Sequence, residues 1–420
     1  MSFRDVFVSG IMPSTSPLTM PLHRSAKLLT LGAAAVITGT VLPVFAASGP
    51  SEDVRKASAT TVHSDATIRD SVKAVLDRAL RDSAFPGGIA VVGTRSRIIA
   101  QVAVGRLDWA ASPAVNEHTM WDFASLTKVV GTTSAMIQLV GAGKVSLDAP
   151  LQRYLPEWQG PNKEKVTIRH LLTHTSGLPA FKAYDQITHD PDSLAKLMFA
   201  TPLDTTPGAR MVYSDIGAYM FGRVIEQVSG QSLDQYLHDH VFEPAGMHET
   251  MFRPPMALYP RIAPTEYDSV QRRRLVRGMV HDERAYYLGG VSAHAGLFSS
   301  AYDLARFAQM YLNGGAIDGK QILPKAQIAI FTKLQNDDRA LGWQKPNGTN
   351  SAGHLMSPEA FGHTGFTGTS VWMDPTNDIF ILLLTNRVNP TRNNQKIGRV
   401  RTQLADAVMS QVGSPKISKP

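Results

Sequence analysis

The sequence predicts an α+β fold in which one antiparallel sheet forms from both ends of the chain, flanked by the terminal helices. Two β-rich runs lie near the start, GGIAVVGT and RIIAQVAVG, and two near the end, GTSVWMDP and DIFILLLTNRV. Between them, from about residue 110 to 335, helical patterns alternate with Pro- and Gly-rich loops. The simplest assembly is a sheet with a large helical region inserted between its strands.

The first 47 residues predict a secretory signal peptide. Basic residues, among them Arg24 and Lys27, precede the largely apolar run LLTLGAAAVITGTVLPVFA. The run is about as long as a membrane span, so an uncleaved anchor stays open as an alternative. Residues 48–66 are polar and small, which favours a flexible leader, and the folded domain is expected over residues 67–415.

The folded part is expected to open with an amphipathic helix and a hairpin. Ile68, Val72, Val75 and Leu80 recur on one helical face of IRDSVKAVLDRALRD. The two β-rich runs that follow are separated only by the dipeptide RS, as in a hairpin. A second amphipathic helix, over roughly residues 396–412, closes the chain.

Composition indicates an exported globular protein. Hydrophobic residues make up 43% and charged residues 18% of the 420 residues, which suffices for a sizeable core. The chain contains no cysteine, which excludes a disulfide framework, a thiol nucleophile and a cysteine-based zinc site. Together with the predicted signal peptide, this favours a bacterial periplasm or the cell exterior.

The formal net charge of +7 is most concentrated in QRRRLVRG, which contains Arg272, Arg273, Arg274 and Arg277. Such a run is typical of a solvated loop. Export argues against a nucleic-acid partner, whereas peripheral contact with an anionic membrane or cell-wall polymer stays open.

The pattern S-x-x-K occurs at Ser125 and Lys128, where a helix is expected to begin. Residues three apart share a helix face, so the hydroxyl and the amine can meet, and N–H groups of a first turn can bind an oxyanion. A pattern this short also arises by chance. A second copy, Ser193 and Lys196, lies among acidic residues and is interpreted as a helix start.

A lysine with its ordinary pKa near 10.4 is a poor base at pH 7, so Lys128 needs burial or partners. Two later segments offer partners: MVYSDIG, with Tyr213 and Asp215, and FGHTGFTGTS, with His363. The second leads directly into a predicted strand, whose edge N–H groups can face a substrate carbonyl.

With these three elements in order, the chain resembles the serine β-lactamase and penicillin-binding protein superfamily, in its class C branch. S-x-x-K is present as SLTK, Y-x-N as YSD and K/H-x-G as HTG, and the resemblance spans roughly residues 68–412. The block VHDERAYYLGGVSAHAGLFSS makes it most similar to the class C-type low-mass penicillin-binding proteins and related esterases. The resemblance implies a class C β-lactamase-like fold and no cofactor.

The resemblance also implies a role for each matching residue. Ser125 would be the nucleophile, and Lys128 and Tyr213 would share proton transfer. The N–H groups of Ser125 and Phe366 would form the oxyanion hole. The substrate side of the site would comprise His363, Gly365, Phe366 and Asp215.

The implied activity is that of an exported serine acyl-hydrolase, first of all a D-Ala-D-Ala carboxypeptidase acting on peptidoglycan peptides. A carboxylesterase of small esters, or a weak β-lactamase acting on β-lactams, is the alternative enzyme. A non-hydrolytic penicillin-recognising sensor or wall-binding module is the alternative from another class. Which acyl group is accepted depends on loops between residues 180 and 300.

Two residues depart from the family pattern. Asp215 replaces the usual Asn, and a carboxylate beside Lys128 would keep the amine protonated. We hypothesise that Lys128 then lowers the pKa of Tyr213, whose tyrosinate acts as the base; a structural cap is the alternative role of Asp215. His363 replaces a Lys and is mostly neutral at pH 7, which should weaken attraction for a substrate carboxylate.

Other polar residues are given structural roles. His281, Asp282 and His294 lack the spacing of a zinc site and are expected to form a loop network that supports the cleft. His170 and His174 are expected to cap and pack a helix. No metal site is predicted.

Overall fold

The computed structural model describes residues 64–412. The predicted signal peptide and residues 48–63 of the predicted leader lie outside the described residues. The first helix begins at Asp65, so the leader prediction is wrong for Asp65 and Ala66. Ser64 caps this helix, because its hydroxyl accepts a hydrogen bond from the N–H of Thr67 at 3.3 Å.

Twelve strands and ten α-helices are found in residues 64–412. The strands are β1 Gly87–Gly93, β2 Ile98–Gly105, β3 Met120–Asp122, β4 Met251–Phe252, β5 Tyr267–Asp268, β6 Arg274–Leu275, β7 Leu297–Ser300, β8 Ala316–Ile317, β9 Lys320–Gln321, β10 Phe361–Thr364, β11 Ser370–Asp374 and β12 Ile379–Thr385. The helices are α1 Asp65–Arg81, α2 Ser134–Gly141, α3 Ile168–Leu172, α4 Pro191–Ala200, α5 Asp215–Ser229, α6 Leu233–Leu237, α7 Glu283–Tyr287, α8 Ala301–Leu312, α9 Lys325–Thr332 and α10 Ile397–Val412. Within residues 64–412, no helix is long and apolar enough to span a membrane.

The main sheet confirms the predicted α+β fold. Its order is β10-β11-β12-β1-β2, and every neighbouring pair is antiparallel. The central pair joins the two ends of the domain, with Val91 of β1 opposite Leu382 of β12. The terminal helices α1 and α10 pack on this sheet, as predicted, and also against each other.

Each face of the sheet supports its own hydrophobic cluster. Ala90 and Val92 pack with the terminal helices, whereas Ile89 and Val91 pack with the inserted region. This alternation follows from the two-residue period of a strand. Because both clusters share the same strands, the sheet connects the terminal helices to the region that carries the candidate site.

Two predictions about strands are wrong. The inserted region contains seven short strands, β3 to β9, although only helices and loops were expected there. They are two to four residues long, too short to show an alternating pattern. The strands at the end of the chain were expected to begin only with GTSVWMDP, whereas His363 already lies in the four-residue edge strand β10.

The basic cluster is also only partly a solvated loop. Arg273 and Arg274 are exposed, but the Arg272 side chain is buried. Its Nε lies 2.6 Å from Asp268, and its Nη1 donates to the carbonyl of Val280 at 2.7 Å. Arg272 therefore closes a turn rather than adding to a free basic surface.

Candidate active site

Ser125 lies in a tight turn between β3 and the first buried helical segment. The segment continues as a π-helical stretch, Lys128–Thr133, and then as α2. Ala124 has a φ of 45°, which is unusual for a residue with a side chain. The buried Asp122 supports the turn, because its carboxylate accepts hydrogen bonds from the N–H groups of Ala124 at 2.8 Å and His281 at 2.6 Å.

Lys128 connects the nucleophile candidate to its surroundings. Its Nζ donates to Ser125 Oγ at 2.8 Å and to the carbonyl of His294 at 2.9 Å, and lies 2.8 Å from Asp215 Oδ1. The side chain is only 5% exposed. The structure therefore brings Ser125, Lys128 and Asp215 together as the sequence predicts.

The charges around Lys128 favour its protonated form. Burial lowers the pKa of Lys128, but the carboxylate of Asp215 and the contact with Tyr213 together outweigh it, so the pKa lies above its ordinary value. Burial likewise opposes ionisation of Asp215, but the cations around it, Lys128 first among them, hold its pKa at about 2. Both groups are therefore charged at neutral pH.

Arg284 is a member of this cluster that the sequence analysis missed. Its Nη2 donates to Asp215 Oδ2 at 2.8 Å and lies 3.8 Å from a carboxylate oxygen of Asp282. Asp282 in turn accepts a hydrogen bond from the His294 ring at 2.9 Å. Asp282 and His294 thus form a loop network behind the site. The position of Arg284 in HDERAYY gave no signal that it would reach Asp215 across the fold.

Tyr213 lies among two cations and two imidazole rings. Lys128 Nζ is 5.1 Å from its ring centroid and Arg339 Cζ is 5.5 Å from it. The rings of His174 and His363 have centroids 4.5 Å and 5.9 Å away. The Tyr213 hydroxyl is buried and has no hydrogen-bond partner within residues 64–412. Tyr213 therefore faces the same cluster as Ser125 and Lys128.

His174 holds the segment that carries Tyr213. Its Nδ1 accepts a hydrogen bond from the N–H of Ser214 at 3.1 Å, and its carbonyl accepts one from Val212 at 2.8 Å. His174 follows the C-cap of α3 with a φ of 56°, and its N–H donates to the carbonyl of Leu171 at 3.1 Å, so it caps the end of that helix, while its ring lies against that of Tyr213. His170 caps the start of the helix, because its Nδ1 accepts from the N–H of Thr167.

His363 is a neutral residue at this site. Burial, followed by the charges of Arg339 and Lys128, holds its pKa well below the ordinary range. Its Nδ1 lies 2.9 Å from the carbonyl of Thr364, which requires the ring proton on that nitrogen. This agrees with the sequence-based expectation that His363 carries no charge at pH 7.

Arg339 places a guanidinium against the Tyr213 ring. It is 9% exposed, and its Nη1 is buried without a hydrogen-bond partner within the described part of the chain. Its Nε lies 3.3 Å from a carboxylate oxygen of Asp338. Arg339 was not predicted, because a single arginine in DDRALGW carries no motif of its own.

Residues 365–369, here called the 365–369 turn, follow β10 and approach the segment before Ser125. A β-carbon on Gly365 would lie 2.4 Å from the carbonyl oxygen of Phe123, so only glycine fits there. Within residues 64–412, the N–H groups of Ser125 and Phe366 donate no hydrogen bond. Both are therefore available to a substrate oxygen.

Tyr286 and Tyr287 line a cavity of about 630 Å³ outside this cluster, in which the Tyr287 ring stacks on His189 at 4.1 Å. A larger cleft of about 890 Å³ lies between α4 and α5 and reaches Ser292 and Ala293. The residues lining these two cavities include none of the predicted site residues.

The sequence matches known proteins over most of its length. The family model described as Beta-lactamase matches residues 67–406. Curated proteins of Salmonella agona (strain SL483) and Salmonella typhi, both named "Putative D-alanyl-D-alanine carboxypeptidase", are 33% identical to it. Each alignment covers 67% of this chain and 72% of the relative.

Solved structures share the fold at lower sequence identity. EstCE1, a hydrolase with promiscuous acyltransferase activity, superposes with a TM-score of 0.68 at 21% identity. A penicillin-binding protein homologue from Caulobacter crescentus gives 0.68 at 20% identity. The two alignments cover 82% of this chain, with 99% and 97% of those chains respectively. The chain therefore belongs to the β-lactamase family within the serine β-lactamase and penicillin-binding protein superfamily, and it is a serine hydrolase.

Proposed function

We propose that this protein is an exported D-Ala-D-Ala carboxypeptidase-like hydrolase that acts on peptidoglycan peptides through an acyl-enzyme on Ser125. The observation that carries the proposal is the 2.8 Å hydrogen bond from Lys128 to Ser125 Oγ, with Asp215 and Tyr213 around the same amine. The names of the Salmonella relatives support the peptidase activity. Export rests on the signal peptide that the sequence predicts.

In this mechanism Ser125 Oγ attacks the carbonyl of the scissile amide, and its proton passes to the Tyr213 oxygen. The oxyanion of the tetrahedral intermediate accepts hydrogen bonds from the N–H groups of Ser125 and Phe366. Tyr213 then protonates the leaving amine as the C–N bond breaks. Attack by water on the ester repeats the sequence and releases the acid. Lys128 stays protonated and stabilises the tyrosinate.

Arg339 supports a substrate that ends in a carboxylate. A neutral His363 cannot supply charge, whereas Arg339 brings a cationic guanidinium against Tyr213. Arginine can bind a carboxylate through two parallel hydrogen bonds. The carboxyl-terminal D-Ala of a peptidoglycan peptide offers such a group.

A carboxylesterase is the second candidate. Neutral His363 favours it, since a site without a charged residue at that position does not require a carboxylate. EstCE1, a protein of similar fold, is a hydrolase with promiscuous acyltransferase activity, which supports acyl-transfer chemistry beyond peptide hydrolysis. A weak β-lactamase and a non-hydrolytic sensor or wall-binding module are the remaining alternatives, and one experiment separates all four.

The test is a time course of intact mass for the mature protein with benzylpenicillin and, separately, with an acylated D-Ala-D-Ala peptide and short acyl esters. Ser125→Ala is the test variant. Ser193→Ala is the matched control, because Ser193 belongs to the second S-x-x-K pattern and lies in the first turn of α4.

For a peptidase we expect a lasting penicillin adduct and release of D-Ala from the peptide. Wild-type protein and Ser193→Ala should show both results, and Ser125→Ala should show neither. Rapid penicillin hydrolysis without an adduct would indicate a β-lactamase. Turnover of esters alone would establish the esterase. An adduct without turnover of any substrate would indicate the non-hydrolytic sensor or wall-binding module. A protein that reacts with none of the probes would overturn the proposal.

A further inference from the structure

Arg401, on the C-terminal helix α10, reaches under the 365–369 turn. Its Nη2 donates hydrogen bonds to the carbonyl oxygens of Gly365 and Thr369, both at 2.7 Å. Its Nε is buried without a hydrogen-bond partner among residues 64–412. The guanidinium therefore donates to these two carbonyls and forms no ion pair within that part of the chain.

The Gly365 carbonyl belongs to the same peptide unit as the N–H of Phe366. A trans peptide is planar, and its C=O and N–H point in opposite directions. A cation fixed on the carbonyl side consequently sets the direction of the N–H on the other side. It also polarises the peptide, because hydrogen bonds in a chain strengthen one another. The N–H so oriented is the one available to a substrate oxygen.

The opposite side of the turn is tied to the nucleophile segment. Thr367 Oγ1 donates to the carbonyl of Asp122 at 2.6 Å, and Thr369 Oγ1 donates to that of Phe123 at 3.1 Å. These carbonyls belong to the residues three and two positions before Ser125. The 365–369 turn is thus bonded to α10 on one side and, on the opposite side, to the segment that leads to Ser125, whose N–H is the second oxyanion donor.

We propose that Arg401 is a positioning residue of the oxyanion hole, holding and polarising the peptide whose N–H, on Phe366, stabilises the tetrahedral intermediate. The inference rests on the proposed acyl-enzyme function. Arg401 touches no reacting atom. Its effect is transmitted through the Gly365 carbonyl, so its removal should weaken transition-state stabilisation more than substrate binding.

A purely structural role makes a different prediction. If Arg401 only joined α10 to the turn, its loss would lower thermal stability and the fraction of active protein. It would not change how strongly the remaining active sites distinguish an oxygen from a sulfur at the reacting carbonyl. Sulfur is a weak hydrogen-bond acceptor, so the rate ratio of an ester to its thionoester measures the oxyanion hole within one protein sample.

The experiment measures kcat/KM for a matched ester and thionoester with the wild-type mature protein and three variants. Arg401→Met removes both donated hydrogen bonds, whereas Arg401→Lys keeps the charge and can keep one of them. Arg399→Met is the control, because Arg399 lies on the same helix, is 60% exposed and pairs with Asp82 at 2.9 Å.

We expect Arg401→Met to lower kcat for the ester about 10- to 100-fold with little change in KM, and to lower the ester-to-thionoester ratio about 10-fold. Arg401→Lys should give an intermediate ratio, and Arg399→Met the wild-type ratio. If Arg401→Met does not fold, as judged by circular dichroism, Arg401→Lys carries the comparison.

A wild-type ratio in a folded Arg401 variant overturns the inference and leaves the proposed function intact. Wild-type protein that turns over neither ester nor peptide overturns the proposed function instead. An altered ratio in Arg399→Met would show that the readout follows general damage to α10, which would also overturn the inference.

Discussion

Asp215 is bound by two cations rather than one, and this changes how its departure from the family pattern is interpreted. Lys128 and Arg284 contact different oxygens of its carboxylate, at 2.8 Å each. A neutral asparagine at this position would leave two buried positive charges without an anion between them. Ser214, not Asp215, caps α5, and Asp215 is the anion between Lys128 and Arg284.

Replacing Asp215 by Asn tests whether the base is a tyrosinate at Tyr213 that depends on protonated Lys128. Without the carboxylate, the pKa of Lys128 should fall, because its ion partner is lost and the charge of Arg284 is no longer balanced. We expect the basic limb of the kcat/KM–pH profile to move to lower pH by about one unit or more. Asp192→Asn, at an exposed position in α4, is the control. A basic limb that stays in place would reject the tyrosinate hypothesis.

The buried His174 makes stability depend on pH in a defined direction. Burial, and then the charge of Arg339, lowers its pKa from 6.5 to about 3. Between these pH values the unfolded chain binds a proton that the folded protein excludes. The stabilisation from neutral His174 is therefore complete above pH 6.5 and is lost as the pH falls toward 3.

His174→Asn should reduce this dependence. Asparagine tolerates the positive φ and offers an oxygen acceptor to the N–H of Ser214. We expect the slope of unfolding free energy against pH, measured by urea denaturation between pH 4 and 6, to fall by about 1.4 kcal/mol per pH unit. Above pH 7.5 the difference between the two proteins should be constant. An unchanged acidic slope would show that His174 is not the group responsible.

At the scale of elements, we expect the backbone geometry of the 365–369 turn to determine the rate of acylation, because the turn carries the N–H of Phe366. Gly365→Ala would place a methyl group 2.1 Å from Thr369 Oγ1 and 2.4 Å from the carbonyl of Phe123, so the turn must move away from Ser125. We expect acylation by an ester to slow at least about 100-fold, since an oxyanion donor is displaced, with a stability loss of about 1–3 kcal/mol.

Gly398→Ala is the matched control for that substitution. A β-carbon at Gly398, in the first turn of α10, would meet nothing within 4 Å, and alanine favours a helix by up to about 1 kcal/mol. This variant should acylate at the wild-type rate and be slightly more stable. Normal acylation by Gly365→Ala would mean that the turn does not provide the oxyanion donor.

Elements with long periodic patterns could be predicted from the sequence, and short ones could not. Helices α1 and α10 and strands β1, β2, β11 and β12 have enough residues to show which face is apolar. Strand β10 has four residues, one of them glycine, and lies at the sheet edge. Its conformation depends on pairing with β11, which is a tertiary contact that local propensity does not contain.

The same distinction holds for the site. Ser125 and Lys128 are three residues apart, so their contact follows from helix geometry. Arg284, Arg339 and Arg401 reach the site from three separate segments, at distances set only by the assembled fold. A single arginine carries no sequence pattern that identifies its partner. The positions of these three cations at the site therefore could not be predicted from the sequence alone.

At the scale of the whole molecule, the shared sheet should make the two hydrophobic clusters unfold together. Leu404 of α10 is buried in the cluster of the terminal helices, whereas three buried tryptophans, Trp121, Trp158 and Trp343, belong to the other cluster. Because adjacent residues of β1 contribute to opposite clusters, loss of packing on one face weakens the strands that support the other.

Leu404→Ala tests this coupling. Removing a buried leucine side chain should lower the unfolding free energy by about 2–5 kcal/mol. In urea titrations in a Trp372→Phe background, which removes the tryptophan of the Leu404 cluster, tryptophan fluorescence and far-ultraviolet circular dichroism should shift to the same lower midpoint. Ser410→Ala, at an exposed position of the same helix, should leave both midpoints unchanged. A dichroism curve that shifts while the fluorescence curve stays in place would mean that α10 detaches alone, and that the sheet does not couple the two faces.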